Sequence, residues 1–245
     1  MSCSAPHDNP LDPESPYFVT PDSVPVTPPE PTFSATVRSV HKGRTTIDLY
    51  SVKTELWPDS NVVLDSVTVQ YKTTTPRRMT FWPNGRWIFT FNSTNVGDDD
   101  LESAVGEPFY FRAYVHGDSV QTVGPQIFVR VIHDTPQTGS PSSGQIVGAL
   151  PILTWPDFAA SFPFRYQAYV ELEDRHNAQV DTVWISDTLS SSVRTIQVSD
   201  SLGDTVPDSS PDSLFYRWSL IVYDPFGNSS ISVESVFNVQ HGVLP

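Results

Sequence analysis

Few residues in this 245-residue chain have the type and spacing that catalysis needs. The single cysteine, Cys3, sits in a Pro-rich beginning where nothing holds a base against it. Six histidines, at positions 7, 41, 116, 133, 176 and 241, stand singly, with no His-x-His or His-x-x-x-His spacing. They are expected to be surface groups on loops and strand ends, and no zinc site is predicted from them. There is no Gly-x-Ser-x-Gly elbow. Glu171 and Glu173 lie two apart on an expected strand and so share one face, whereas glycoside hydrolysis needs carboxyls about 5–9.5 Å apart across a cleft. With Val170 and Leu172 facing the core, the pair is expected on a solvated strand face. Asp98-Asp99-Asp100-Leu101-Glu102 and the series Asp200, Asp204, Asp208, Asp212 offer hard oxygen donors. Neither follows the twelve-residue calcium loop, and both are expected to be solvated acidic loops, a weak cation site being the alternative. No catalytic residue, metal or cofactor is predicted.

Aromatic side chains are the remaining candidates. Trp155 and Trp218 fall at inward positions of alternating strands and are assigned to a core. Trp82 and Trp87 flank Pro83-Asn84-Gly85-Arg86, and Asn-Gly tolerates the positive φ of a tight hairpin turn. One of the two Trp is expected to be exposed, as a platform for a glycan or protein partner; the rival expectation is a cross-strand aromatic pair. The sequons Asn92-Ser-Thr94 and Asn228-Ser-Ser230 carry little weight if the source is bacterial.

Composition limits what these residues are set into. A formal net charge of -14 argues against nucleic-acid partners, which are held through phosphate neutralisation. No run of 18 apolar residues exists to cross a membrane as a helix. A 38% hydrophobic share with 12% aromatics is enough for a packed core. Residues 1–31 carry nine of the 23 prolines from Pro6 to Pro31, which block both helix and ladder, so a stiff extended tether is expected. From Thr32 onward, short runs in period two predict strands over 33–40, 45–52, 66–71, 79–82, 87–91, 108–116 and 126–132. The Pro/Ser/Gly-rich stretch 133–143 is taken as a boundary. A second series follows over 152–155, 164–173, 180–185, 193–198, 214–223 and 231–239. The expected fold class is all-β: two tandem β-sandwiches, over 32–134 and 135–240, after the tether and before a tail at 241–245.

Two resemblances sharpen this. Pro151-Ile-Leu153-Thr-Trp155, Tyr166-x-Ala168-x-Val170, Tyr216-x-Trp218-x-Leu220-x-Val222-x-Asp224-x-x-Gly227-Asn228-x-Ser230 and Val236-Phe237-x-Val239 together resemble a bacterial fibronectin type III module. Asp208 to Ser213 stands where that family has a Gly-rich lead. The first half lacks the Leu-x-Trp element and resembles immunoglobulin-like domains in general. Cys3-Ser-Ala-Pro-His-Asp8 with its acidic, Pro-rich continuation resembles the start of a mature bacterial lipoprotein, with Cys3 as lipid anchor; an incidental Cys is the alternative. These resemblances imply a non-catalytic envelope or cell-surface protein acting as an adhesion, spacer or scaffold module, with a protein or glycan partner. The alternative is a carbohydrate-binding accessory module that uses Trp82 and Trp87. Charges such as Glu171, Glu173 and Arg217 are expected to discourage pairing at sheet edges.

Overall fold

Alternating apolar residues bounded by turn chemistry become strands almost throughout the computed structural model, which describes residues 32–59, 62–117, 120–205 and 213–242. The expected tether and Cys3 lie outside these. The first series is β1 (Phe33–Lys42), β2 (Leu49–Pro58), β3 (Leu64–Tyr71), β4 (Arg77–Arg78), β5 (Thr80–Phe81), β6 (Trp87–Asn92), β7 (Pro108–Val115) and β8 (Val120–Ile127). The second is β9 (Gln145–Val147), β10 (Ile152–Thr154), β11 (Arg165–Asp174), β12 (Gln179–Ile185), β13 (Leu189–Ser190), β14 (Thr195–Gln197), β15 (Leu214–Tyr223), β16 (Ser229–Ile231) and β17 (Ser235–Val239). Phe33–Pro245 forms one unit.

The fold is two tandem immunoglobulin-like, fibronectin type III-like sandwiches. In the first half β1-β2-β6-β5 faces β4-β3-β7-β8. Val52, Leu56, Val67, Val69, Phe91, Phe109 and Phe111 fill the space between them, all at most 1% exposed. In the second half β12-β11-β15, with β17 also on β15, faces the β10-β14 pair. Leu153, Trp155, Tyr166, Val170, Trp218, Leu220 and Phe237 close that core. The inward positions are those of the period-two pattern, as at Tyr166, Ala168 and Val170. Trp155 stands edge-on to Tyr166, ring centroids 5.7 Å apart. The Trp218 indole N–H donates to Pro141 O at 2.8 Å, so this donor is satisfied, whereas that of Trp155 is buried without a hydrogen-bond partner.

Several expected boundaries move. The second strand begins at Leu49 rather than Thr45, because the Arg44 N–H is captured by Asp48 Oδ1 at 3.1 Å and 43–48 turns. It then runs to Pro58 across Lys53 and Glu55, whose charges hid it. The last strand of the first half is Val120–Ile127, not 126–132; Phe128, Val131 and Ile132 are buried in the connection that follows. The expected 231–239 strand is two, β16 and β17, interrupted at 232–234 where Ser232 Oγ accepts from the Leu220 N–H at 2.9 Å. β9 and β13 were not expected; at three and two residues they are too short to show a period.

The indole of Trp218 both fills space and satisfies a carbonyl. Trp218→Phe is expected to lower stability by about 2 kcal/mol, through lost packing and an unpaired Pro141 carbonyl. Urea unfolding of the two proteins checks this; an unchanged midpoint would remove the anchoring role of the indole.

Candidate functional site

The Trp82–Trp87 segment folds as its turn chemistry requires. The Gly85 N–H donates to Trp82 O at 3.0 Å and the Trp82 N–H to Arg86 O at 2.8 Å, with Gly85 at φ +80°. Phe81 pairs with Trp87 in the β5–β6 register, and their ring centroids are 5.2 Å apart. The cross-strand aromatic pair is therefore Phe81–Trp87, with Trp87 only 8% exposed at the margin of the first core. Trp82 and Phe81 are 52% and 57% exposed. Beside them opens a surface cleft of about 540 Å³ lined by Pro58, Val62, Val63, Leu64, Phe81 and Trp87. So the two named Trp divide: Trp82 is exposed to solvent, and Trp87 is mostly buried and lines the cleft.

A second constellation was not visible in the sequence. β1 pairs in parallel with β16, Val40 with Ser229, His41 with Ser230 and Lys42 with Ile231, so one sheet runs through both halves. His41, expected at the surface like the other histidines, is fully buried here because both strands and the connection close over it. Its ring stacks on Tyr50 at 4.2 Å between centroids. Nδ1 lies 2.9 Å from Ile132 O and 3.2 Å from Ser230 Oγ, and Nε2 lies 3.3 Å from Asp48 Oδ2 without hydrogen-bond alignment. Ser, His and Asp thus stand in sequence, as in a hydrolase, but the hydrogen bonding runs the wrong way. Ser230 Oγ gives its one proton to Asp134 O at 2.8 Å, and Nδ1 must carry a proton for Ile132 O. The imidazole therefore donates toward Ser230 and accepts nothing from it, and both groups are sealed from water.

The Asp224–Ser230 turn, expected as turn chemistry, supplies the rest of this joint. Asp224 Oδ1 accepts from the N–H groups of Phe226 and Asn228, both at 2.9 Å, and Oδ2 from Asn228 Nδ2 at 2.9 Å. Asn228 Oδ1, held by this, accepts the Ser39 N–H of β1 at 2.8 Å. Arg130 approaches Asp224 at 3.4 Å. At 1% exposure Asn228 is structural and unavailable as a sequon. Gly43 leaves room for the approach: a Cβ there would stand 3.2 Å from Ile231 O and 2.9 Å from Thr135 Cγ2.

The charged candidates resolve into pairs. Glu171 and Glu173 are not a solvated face, and with Arg217 they do not guard an edge: β11 and β15 are interior strands. Arg217 Nε donates to Glu171 at 2.9 Å and Nη1 to Glu173 and Glu234 at 3.1 and 3.3 Å. Glu234 also takes Lys42 of β1 at 2.9 Å, another tie across the joint. Burial pushes its carboxyl up, but the Lys42 hydrogen bond and the charges of Lys42, Arg217 and Arg44 outweigh this and hold it below the ordinary glutamate value. In the acidic loop, Asp98 accepts the Ser103 N–H at 2.7 Å and Asp100 that of Glu102 at 3.2 Å, while Glu102 meets His133. Asp204 accepts from the backbone N–H of His241 at 2.6 Å; Asp208 and Asp212 lie outside the described residues. Among the described residues no group of three or more His, Cys, Asp or Glu is arranged to hold a metal.

No protein-family model and no curated protein sequence matches the chain. Solved structures align with most of its length at low identity. Fibronectin(III)-like modules of Clostridium thermocellum CbhA align at 10% identity and TM-score 0.32, over 86% of this chain and 94% of that one. Tandem Ig repeats of Dlar align at 10% identity and TM-score 0.38, over 86% and 98%. The FN1–FN3 domains of chicken CNTN1 align at 11% identity and TM-score 0.28, over 85% and 68%.

The Glu234 tie has a defined pH signature. Its depressed carboxyl contributes stability that is present above the unfolded glutamate value of about 4.3 and is lost as pH falls through the lower folded value. Glu234→Gln is expected to cost about 0.5–1 kcal/mol at pH 7, discounted for its partial exposure, and progressively less as pH falls below the unfolded glutamate value. Thermal unfolding across this range checks it; equal losses above and below that value would remove the ion-pair role.

Proposed function

We propose that the protein is a non-catalytic spacer or scaffold module of a bacterial envelope or cell surface, displayed on a Pro-rich tether with a lipid anchor at Cys3. The observation that carries this reading is the β1–β16 pairing, which makes two sandwiches share one sheet. A loose linker would let the halves swing; a shared ladder with Ser39–Asn228, His41–Ser230 and Lys42–Glu234 ties transmits position instead. Such a body is suited to holding a partner, protein or glycan, at a fixed distance from a surface. The boundary near 135 and the tether over 1–31 belong to this reading. Anchoring needs the full bacterial lipid modification, since a single acyl chain gives only marginal binding. Expressed from its native gene, the protein is expected to enter the detergent phase on phase separation, and Cys3→Ala to leave it. A Cys3→Ala protein that stays in the membrane fraction would defeat the anchor.

A second reading, glycan binding at the hairpin, is favoured by the exposed side chains of Phe81, which lines the cleft, and of Trp82 next to it in the chain. Apolar sugar faces stack on such rings. In affinity electrophoresis against neutral polysaccharides, Trp82→Ala is expected to abolish retardation while leaving unfolding unchanged; no retardation of the parent protein on any of them would remove this reading.

A further inference from the structure

The charge of this chain is unevenly placed. Between Asp65 and Asp98 there is no acidic residue, yet Lys72, Arg77, Arg78 and Arg86 all lie there, in a chain of net charge -14. Lys72 is held by Glu107 at 3.0 Å and Arg86 reaches Glu55 at 3.7 Å. Arg78, and Arg112 of β7, are exposed and have no ion-pair partner among the described residues.

The ladder brings these two together. Arg78 pairs with Thr68, Thr68 with Arg112, and Arg112 with Thr122, so the four form one row across β4, β3, β7 and β8. Directly paired residues point to the same side, and strands lie about 4.8 Å apart, which sets the two guanidinium-bearing positions roughly 10 Å apart on one face. Thr122 is exposed and Thr68 half-buried, while their neighbours along the strands, Val67, Val69, Phe111 and Ala113, are buried in the core. The row is therefore the outer surface of the sheet. Flanking rows add Gln70 with Tyr110, which is 37% exposed, and Ser66 with Tyr114. Among the described residues, the nearby acids sit at the ends of the strands and are engaged: Asp65 with His116 at 2.7 Å, Glu107 with Lys72.

We propose that this face of the β4-β3-β7-β8 sheet binds an acidic polysaccharide bearing carboxylates, with Arg78 and Arg112 pairing the charges and Tyr110 stacking on a sugar ring. Charge complementarity is the argument for an anion: two guanidinium groups without an ion-pair partner among the described residues face solvent together on a protein whose net charge otherwise repels anions. Their planar fork matches a carboxylate bidentately. The closed ladders argue for a glycan over a peptide. The backbone groups of β3 and β7 are consumed by ladders on both sides, so strand addition has no purchase on the face. What it offers instead is hydroxyl, amide and phenol groups suited to sugar hydroxyls. The proposal rests on the reading of the protein as a displayed scaffold that holds a protein or glycan partner, and it is independent of Trp82.

The test is affinity electrophoresis of the whole protein through gels containing polygalacturonate, dextran sulfate or dextran, with soluble polyglutamate as competitor. Polygalacturonate is expected to retard the protein at low salt despite its like net charge, with the effect falling as salt is added. Arg78→Gln with Arg112→Gln is expected to weaken retardation roughly tenfold, since two charge-assisted pairs are lost, and each single variant to fall between. Both side chains are exposed, so unfolding midpoints are expected to stay unchanged; Arg78→Lys and Arg112→Lys, which keep charge but lose the fork, should retain part of the binding. No retardation, retardation unaffected by the Gln variants, equal retardation by dextran, a response to dextran sulfate alone, or full competition by polyglutamate would each overturn the proposal. Retardation by dextran that is lost in Trp82→Ala would leave the hairpin reading standing while this one fails.

Discussion

Backbone hydrogen bonding between β1 and β16 is the constraint from which the rest of this structure follows. A parallel ladder fixes register to the residue, so Ser39, His41 and Lys42 have no choice of neighbours in the second half. Polar groups that the pairing buries depend on partners inside the joint, because water no longer reaches them, and most have one, Ser39 Oγ and His41 Nε2 being the exceptions. The Ser39 N–H finds Asn228, the Ser230 hydroxyl finds the Asp134 carbonyl, and the His41 ring finds Ile132 and Ser230. Asp224 is buried in turn so that Asn228 is correctly aimed. A slip of one residue would orphan several of these groups at once, each costing about 1–3 kcal/mol. The joint is specified by polar groups even though each half is closed by apolar ones.

The same logic explains where the charges went. Glu55 is on a central strand with its side chain 3% exposed, and it is tolerated because Arg38, Lys53 and Arg86 surround it. Arg217 plays the converse part for Glu171, Glu173 and Glu234. Glu55 and Arg217 are thus each shared among several opposite charges, which lowers the desolvation cost that a lone ion would carry.

Elements were legible from the sequence wherever side chains alternate over six or more residues. Tyr166 to Leu172 and Tyr216 to Val222 announce their inward faces, and Asn84-Gly85 announces its hairpin. What was not legible is long-range. Nothing local marks His41 as buried, since its burial comes from a strand 189 positions away that closes over it. Glu171 and Glu173 look solvated until Arg217 is placed beside them. The Asp-x-x-Gly-Asn-x-Ser run was visible as a turn, but the partner of Asn228 in β1 was not. At the hairpin the turn was legible, yet which aromatic pairs across it was decided by register, which selects Phe81 and leaves Trp82 outside.

Function in such a molecule has to be sought where hydrogen-bonding and charge capacity is left over. In the joint the Ser230–His41 pair has none to offer: the serine has already donated its proton, the histidine points its own proton at a carbonyl and that serine, and the unpartnered Ser39 Oγ and His41 Nε2 are sealed from water. A nucleophile spent in this way is structural, however closely its neighbours imitate a hydrolase. The outer sheet surfaces are the opposite case. There the ladders satisfy the backbone while side chains such as Arg78, Arg112 and Tyr110 keep their donors, charges or ring faces turned to solvent. Rigidity in the joint and unspent recognition capacity on the faces are complementary, because a surface that is to be read by shape must first be held still.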